Sequence, residues 1–171
     1  MPLLFTRTST PIGTALAVAS EEGLVALRFD EGSSQSTIDR IMATRRESAV
    51  RGDAELAGLV DQLHEYFAGG RRAFDIELDL TGLAPFTRAA LGAVRDIPYG
   101  ETAGYGEVAI TAGGARAARA VGTACARTPI SVVIPVHRVV RSDGSLGEYG
   151  GRPEVKRALL ALESGIEGVV P

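Results

Sequence analysis

The pattern of apolar and polar positions changes character near the middle of the chain. Leu3–Arg7, Thr14–Ala19 and Leu24–Phe29 are short apolar or alternating runs, separated by Pro11-Ile12-Gly13 and Glu21-Glu22-Gly23. Runs of that length between turn residues predict three strands. Glu31 to Asp53 is polar and reads as loop with a short helix near Ile38. Leu56, Leu59, Val60, Leu63 and Phe67 then recur at spacings of three and four, which gives one apolar helix face, capped by Asp53 and stopped at Gly69-Gly70. Phe74 to Leu78 alternates apolar and acidic residues and predicts a half-exposed strand, and Asp79 to Pro85 reads as a linker.

Beyond the linker the period becomes helical. Helices are expected over Phe86–Ile97, closed by Pro98-Tyr99-Gly100, over Tyr105–Ala112, stopped by Gly113-Gly114, and over Arg116–Arg127, ended before Pro129. The β-branched run Ile130 to Ile134 stops at Pro135 and reads as a buried strand delivered into a tight turn. A last helix is expected over Glu154–Glu163, with Pro153 suited to its first turn. The fold class is therefore α/β. A small N-terminal sheet-plus-helix subdomain, residues 1–80, precedes a mostly helical helix-turn-helix subdomain, residues 81–171.

Composition narrows the function classes. At 171 residues with 45 % hydrophobic content the chain reads as one or two ordinary globular domains. No stretch approaches a membrane span, and the apolar start Met1 to Phe5 breaks at once into Thr6-Arg7-Thr8, so a cytoplasmic protein without a signal segment is expected. The single cysteine, Cys125, excludes an internal disulfide and a Cys-based zinc cluster. Only two histidines are present, His64 and His137, far apart in sequence; no metal and no cofactor are expected, and His64 reads as a structural or surface residue. The net charge of −3 argues against a protein that coats nucleic acid. Its distribution argues otherwise: from Thr111 to Ser142 there are five arginines (Arg116, Arg119, Arg127, Arg138, Arg141) and no acid. Such a stripe is either a solvated face or a DNA-binding one. Two short helices joined through Gly113-Gly114 match a helix-turn-helix, whose second helix, bearing Arg116, Arg119 and Arg127 among alanines and Gly122, would meet DNA.

The segment Ile134-Pro135-Val136-His137-Arg138-Val139-Val140 resembles the active-site segment of the O6-alkylguanine-DNA alkyltransferases, whose hallmark is Pro-Cys-His-Arg. Ile97-Pro98-Tyr99-Gly100-Glu101-Thr102, the helix Ala117 to Gly122, the loop Gly147-Glu148-Tyr149-Gly150-Gly151 and Glu163 resemble further family motifs, in order and at matching spacing. The resemblance spans the C-terminal half and, more loosely, the N-terminal half. It implies that Arg119 enters the base stack in place of an extruded guanine, which offsets the loss of stacking. It implies that Tyr105 contacts the flipped nucleotide, that the backbone carbonyls of Val136 and Val139 accept from the guanine amino group, that the Gly150 amide faces the alkylated oxygen, and that Tyr149 walls the pocket. Arg116, Arg127, Arg138 and Arg141 would add DNA contacts. The implied partner is double-stranded DNA carrying O6-alkylguanine, bound by a monomer.

In the family, a histidine oriented by a glutamate activates the cysteine through water, and the thiolate attacks the alkyl carbon. Here the acceptor position holds Val136, so His137 and Glu163 keep the relay without a nucleophile. Two further departures are Thr128 for the asparagine that braces the active-site turn, and Arg152 after the glycine pair. Two function classes follow. One is a non-enzymatic alkyltransferase-like binder that flags the lesion for another repair pathway's proteins. The other is a methylated-DNA-protein-cysteine methyltransferase, either altered at Val136 or using Cys125 as acceptor. Backbone contacts to the base do not depend on the side chain at 136, which favours the binder.

Overall fold

A computed structural model describes residues 1–30 and 34–165 of the chain. These residues form an N-terminal sheet unit and a helical C-terminal unit, the α/β fold class expected, and the chain divides into compact units at Asp79/Leu80.

In the first unit, β1 (Leu3–Thr10), β2 (Gly13–Ser20) and β3 (Gly23–Asp30) form an antiparallel meander. A fourth strand, β4 (Ala49–Arg51), runs parallel to β1, giving the order β3-β2-β1-β4. Five consecutive residues of β2, Ala15 to Ala19, are buried, so both faces of the sheet are covered. On one face Leu16 and Val18 pack with Ile38, Ile41 and Met42 of α1 (Ser34–Arg45). On the other, Thr8, Ala15 and Phe29 share a cross-strand row. Phe29 meets Phe67 edge-on at 6.1 Å and Thr8 Oγ1 bonds His64 Nε2 at 2.8 Å, which places α2 (Ala57–Phe67) on that face. His64 is an exposed residue, as expected.

Three expectations for this unit are corrected. The polar stretch after Phe29 holds a full 12-residue helix and a strand; its residues 31–33 lie outside the described ones. The helix was concealed because it buries only a narrow apolar stripe between exposed polar positions. Asp53 does not cap α2: Leu56 occupies the cap position, and the Asp53 carboxylate accepts instead from Thr6 (2.7 Å) and Arg51 (2.6 Å). Phe74–Leu78 makes a single bridge, Leu24 to Leu78, rather than a full strand. It approaches β3 at Gly23, where a Cβ would lie 2.6 Å from the Glu77 carbonyl oxygen, so only glycine fits.

The second unit contains α3 (Pro85–Arg95), α4 (Tyr105–Thr111), α5 (Ala118–Ala126) and α6 (Pro153–Glu163). Pro85 and Pro153 start their helices, where the missing N–H costs nothing. Gly113 has φ +89°, and at Gly114 a Cβ would sit 3.0 Å from the Phe86 ring and 2.9 Å from Ala117. The first glycine permits the turn and the second lets α3 close against it, which fixes α4 against α5. The expected strand Ile130–Ile134 is not one. Val132 has φ +70°, a left-handed conformation that reverses the chain, and a single 3-10 turn Val136–Arg138 follows. The run makes an isolated bridge, Ser131 to Ile134, and no named strand; its β-branched residues suit burial, Ile130, Val132 and Ile134 each being at most 1 % exposed. Among the described residues, no helix is long and apolar enough to cross a membrane.

Candidate lesion site and DNA-facing helix

An isolated bridge, Ser131 to Ile134, precedes the turn Val136–Arg138 and a short pairing follows it. After it, β6 (Val139–Val140) lies parallel to β5 (Ala103–Gly104), with Val139 opposite Ala103. Because β5 runs directly into α4, this pairing brings Tyr105 beside the turn. Glu107 fixes that helix start by accepting the Gly104 N–H at 2.6 Å.

Beneath the turn sits a buried ionic cluster. Glu163, near the end of α6, accepts from His137 Nε2 at 2.8 Å, from Arg138 Nε at 2.9 Å and Nη2 at 2.8 Å, and from the Gly100 amide at 3.4 Å. The remaining Arg138 nitrogen, Nη1, donates to the Ile97 carbonyl at 2.6 Å, and its guanidinium lies 5.7 Å from the centre of the Tyr99 ring. Two arginine nitrogens on one carboxylate form the bidentate geometry that makes such pairs strong. His137 is fully buried, and that burial holds its pKa below the usual histidine value although Glu163 pulls the other way. A neutral ring donating Nε2–H to Glu163 leaves Nδ1 as an acceptor, and among the described residues Nδ1 has no hydrogen-bond partner. The cluster therefore contains an oriented base with a free lone pair. Next to it stands Val136, 5 % exposed, which offers no ionisable atom.

Tyr105 stands on the other side of the turn. Its ring lies 3.9 Å from the Cβ that Gly122 of α5 lacks, and its hydroxyl 3.1 Å from the one Gly147 lacks. Both glycines keep space for that ring. Burial pushes the Tyr105 hydroxyl up, and does the same more strongly to the half-buried Tyr149. Gly150 and Gly151 both have positive φ and are exposed in the loop before α6. Cys125, on α5, is partly buried, and burial pushes its thiol up to about 11.

The sequence-derived arginine set divides. Arg119 lies exposed on α5; Arg116 precedes the helix, Arg127 follows it as the C-cap residue, and Arg141 is an exposed loop residue. The expected helix Arg116–Arg127 is thus shorter at both ends. Arg138 is a correction: it is 7 % exposed, and its planar fork is consumed by Glu163 and Ile97 rather than turned toward DNA. Among the described residues the Thr128 hydroxyl bonds only Ile130, whose N–H and carbonyl lie 3.3 Å from it, so the turn is braced by other groups. Among them is Lys156, which sequence reading passed over. Its Nζ donates to the Val139 carbonyl at 2.6 Å from a fully buried side chain. The available signal was that Lys156 is the only lysine among 18 basic residues. No group of three residues fit to hold a metal ion occurs among the described ones.

A helix-turn-helix beside a turn that carries a buried glutamate–histidine pair defines an alkyltransferase-type protein. The profile described as 6-O-methylguanine DNA methyltransferase, DNA binding domain, matches residues 85–165, and that of the ribonuclease-like domain of the same proteins matches residues 3–80. The chain belongs to the O6-alkylguanine-DNA alkyltransferase family. It is 42 % identical over 154 residues to a methylated-DNA–protein-cysteine methyltransferase of Mycolicibacterium paratuberculosis, covering 90 % of this chain and 88 % of that one. It is similar to the crystal structure of the Mycobacterium tuberculosis O6-methylguanine methyltransferase at TM-score 0.79 and 38 % identity, over 95 % of this chain and 93 % of that one. A crystal structure of the Mycobacterium tuberculosis protein in complex with DNA is similar at TM-score 0.78 and 38 % identity, over 95 % and 94 % of the two chains.

Proposed function

We propose that this protein recognises O6-alkylguanine in duplex DNA and holds the flipped base without transferring its alkyl group. The observation that carries the reading is Val136 at the start of the buried turn, beside a complete Glu163–His137 pair. A base with a free lone pair has nothing to deprotonate there, because a valine side chain supplies no nucleophile. The groups that would hold the lesion need no thiol: the backbone carbonyls of Val136 and Val139, the amide of Gly150, and the ring of Tyr105. Arg119, exposed on α5, is the residue to fill the vacated stack, while Arg116, Arg127 and Arg141 meet phosphates. The protein then marks the lesion for other repair proteins.

The competing reading makes Cys125 the acceptor. A thiol whose pKa is pushed up to about 11 is thiolate in only about one molecule in ten thousand at neutral pH. That disfavours attack unless a bound lesion changes its surroundings. One experiment separates the readings. The protein is incubated with duplexes with and without O6-methylguanine; binding is measured by anisotropy and intact mass by mass spectrometry. Tighter binding to the lesion with unchanged mass is expected. A gain of one methyl group, located on Cys125 after digestion, overturns the non-enzymatic reading. Equal binding to both duplexes overturns lesion recognition itself.

A further inference from the structure

The chain contains 18 basic residues, of which 17 are arginines; the exception is Lys156. The position it occupies is costly for a cation. The side chain is fully buried, and among the described residues no carboxylate lies within ion-pairing distance of it. Burial accordingly holds its pKa below the usual lysine value. Removing a charge from water without a partner carries a large penalty, so the contacts Lys156 makes in return are informative. Its Nζ donates to the Val139 carbonyl at 2.6 Å and lies 5.9 Å from the centre of the Tyr105 ring. Cys125, Arg141 and Glu148 are its charged or ionisable neighbours.

The placement of Lys156 on α6 extends this. Lys156 and Glu163 are seven residues apart, hence on one face of the helix, roughly 10 Å from each other along its axis. Glu163 grips the turn at His137 and Arg138, and Lys156 grips it at Val139. One helix face therefore fixes both ends of the turn. A lysine suits the second grip because its ammonium is compact and can donate to a single carbonyl under an aromatic ring. An arginine presents a wide planar fork that would need more acceptors.

We propose that Lys156 is the positioning residue for guanine recognition: by holding the Val139 carbonyl and supporting Tyr105, it aims that carbonyl at the 2-amino group of the flipped base. This rests on the lesion-binding reading above. A carbonyl oxygen carries two lone pairs, so Val139 O can accept from Nζ with one and from the base with the other. A bond to a charged donor also polarises the carbonyl that reads the base.

The test compares O6-methylguanine with O6-methylhypoxanthine, the same lesion without the 2-amino group, each in one duplex sequence opposite cytosine. The unmodified protein is expected to prefer O6-methylguanine by about fivefold, the worth of one net hydrogen bond. In Lys156→Met, which keeps the length and removes the donor, the preference is expected to fall to about one, as both lesions come to bind alike. If Lys156 serves only stability, both affinities drop by the same factor and the ratio survives; that result overturns the proposal. No preference of the unmodified protein for either lesion over undamaged DNA removes the lesion-binding reading as well, and the two failures are thereby distinct. Should Lys156→Met not fold, the unmodified protein answers. Labelling lysine with nitrogen-15 at Nζ gives one side-chain signal, because only one lysine exists. That signal is expected to shift on binding O6-methylguanine DNA, and less with O6-methylhypoxanthine DNA. A signal unmoved, or moved equally by both, overturns the proposal.

Discussion

The helix Ala118–Ala126 and the turn Val136–Arg138 lie in one acid-free, arginine-bearing stretch, yet their arginines do opposite work. Arg119 is exposed on the helix and makes no side-chain bond among the described residues, whereas Arg138 is buried with three nitrogens committed within the protein. The helix is built from small residues around an apolar pair, Val121 and Ala124, so its outer face is free to approach a groove. The turn is surrounded by α6, β5 and the chain from Ile97 to Gly100, so its charged group is paired inside the protein and not with water. Positive charge in a sequence therefore separates into two kinds. One faces solvent and answers to salt; the other sits where the core would otherwise be apolar and answers to its partner.

The sharpest way to test that division is at Val136. Val136→Cys puts a thiol in the buried turn one residue before His137, and cysteine is slightly smaller than valine, so it fits without strain. We expect transfer of labelled methyl from O6-methylguanine DNA to rise from none to a measurable rate. Adding Thr128→Asn should raise it further, because a misplacement of about 1 Å can cost on the order of a hundredfold. Damaged DNA bound with no label taken up by either variant would mean that the turn is shaped for binding alone.

The next largest effect is expected at Glu163. Replacing it with alanine leaves Arg138 and His137 buried without their acceptor, a change that costs about 3–5 kcal/mol. Urea unfolding measures it, and a loss below about 1 kcal/mol would show that the cluster is not a structural unit.

Acidity probes the same cluster more gently. His137 is neutral when folded, since burial lowers its pKa, and it has an ordinary value near 6.5 when unfolded. The unfolded chain therefore binds a proton that the native one refuses. The stability at stake is fully present above about pH 6.5 and is lost as pH falls through the lowered folded value. His137→Gln keeps a donor for Glu163 without the titration, so it should lose less stability than the unmodified protein between about pH 7 and about pH 5. Equal losses would assign the pH dependence to other groups.

The smallest effects on stability belong to the exposed arginines. Arg116→Ala and Arg127→Ala should change unfolding by no more than about 0.5 kcal/mol, while each lowers the slope of log affinity against log salt by about one. Arg119→Ala should instead reduce preference for damaged over undamaged DNA. An unchanged preference would take the stack-filling role from Arg119 and place it with the phosphate-contacting residues.

Much of this protein was legible from residue order. The three opening strands, the helix over Leu59 to Phe67 and the Gly113-Gly114 turn follow from local periodicity and from glycine's freedom, which act within a few residues. The pairing of His137 with Glu163 was also anticipated, through family resemblance and not through spacing, since the two lie 26 residues apart. What sequence could not decide was burial. The run Ile130–Ile134 looks like a strand, but Val132 takes a left-handed conformation that turns the chain back within the buried interior. Arg138 and Arg141 are near neighbours in one basic stretch, and only the packing of α6 makes the first internal and leaves the second outside. Lys156 carries no motif, and its role arises when the helix brings its ammonium against a carbonyl 17 residues earlier. Local pattern fixes where elements start and stop, because those energies are local. Which charges are withdrawn from water depends on contacts between distant segments, and that was decided by the tertiary structure.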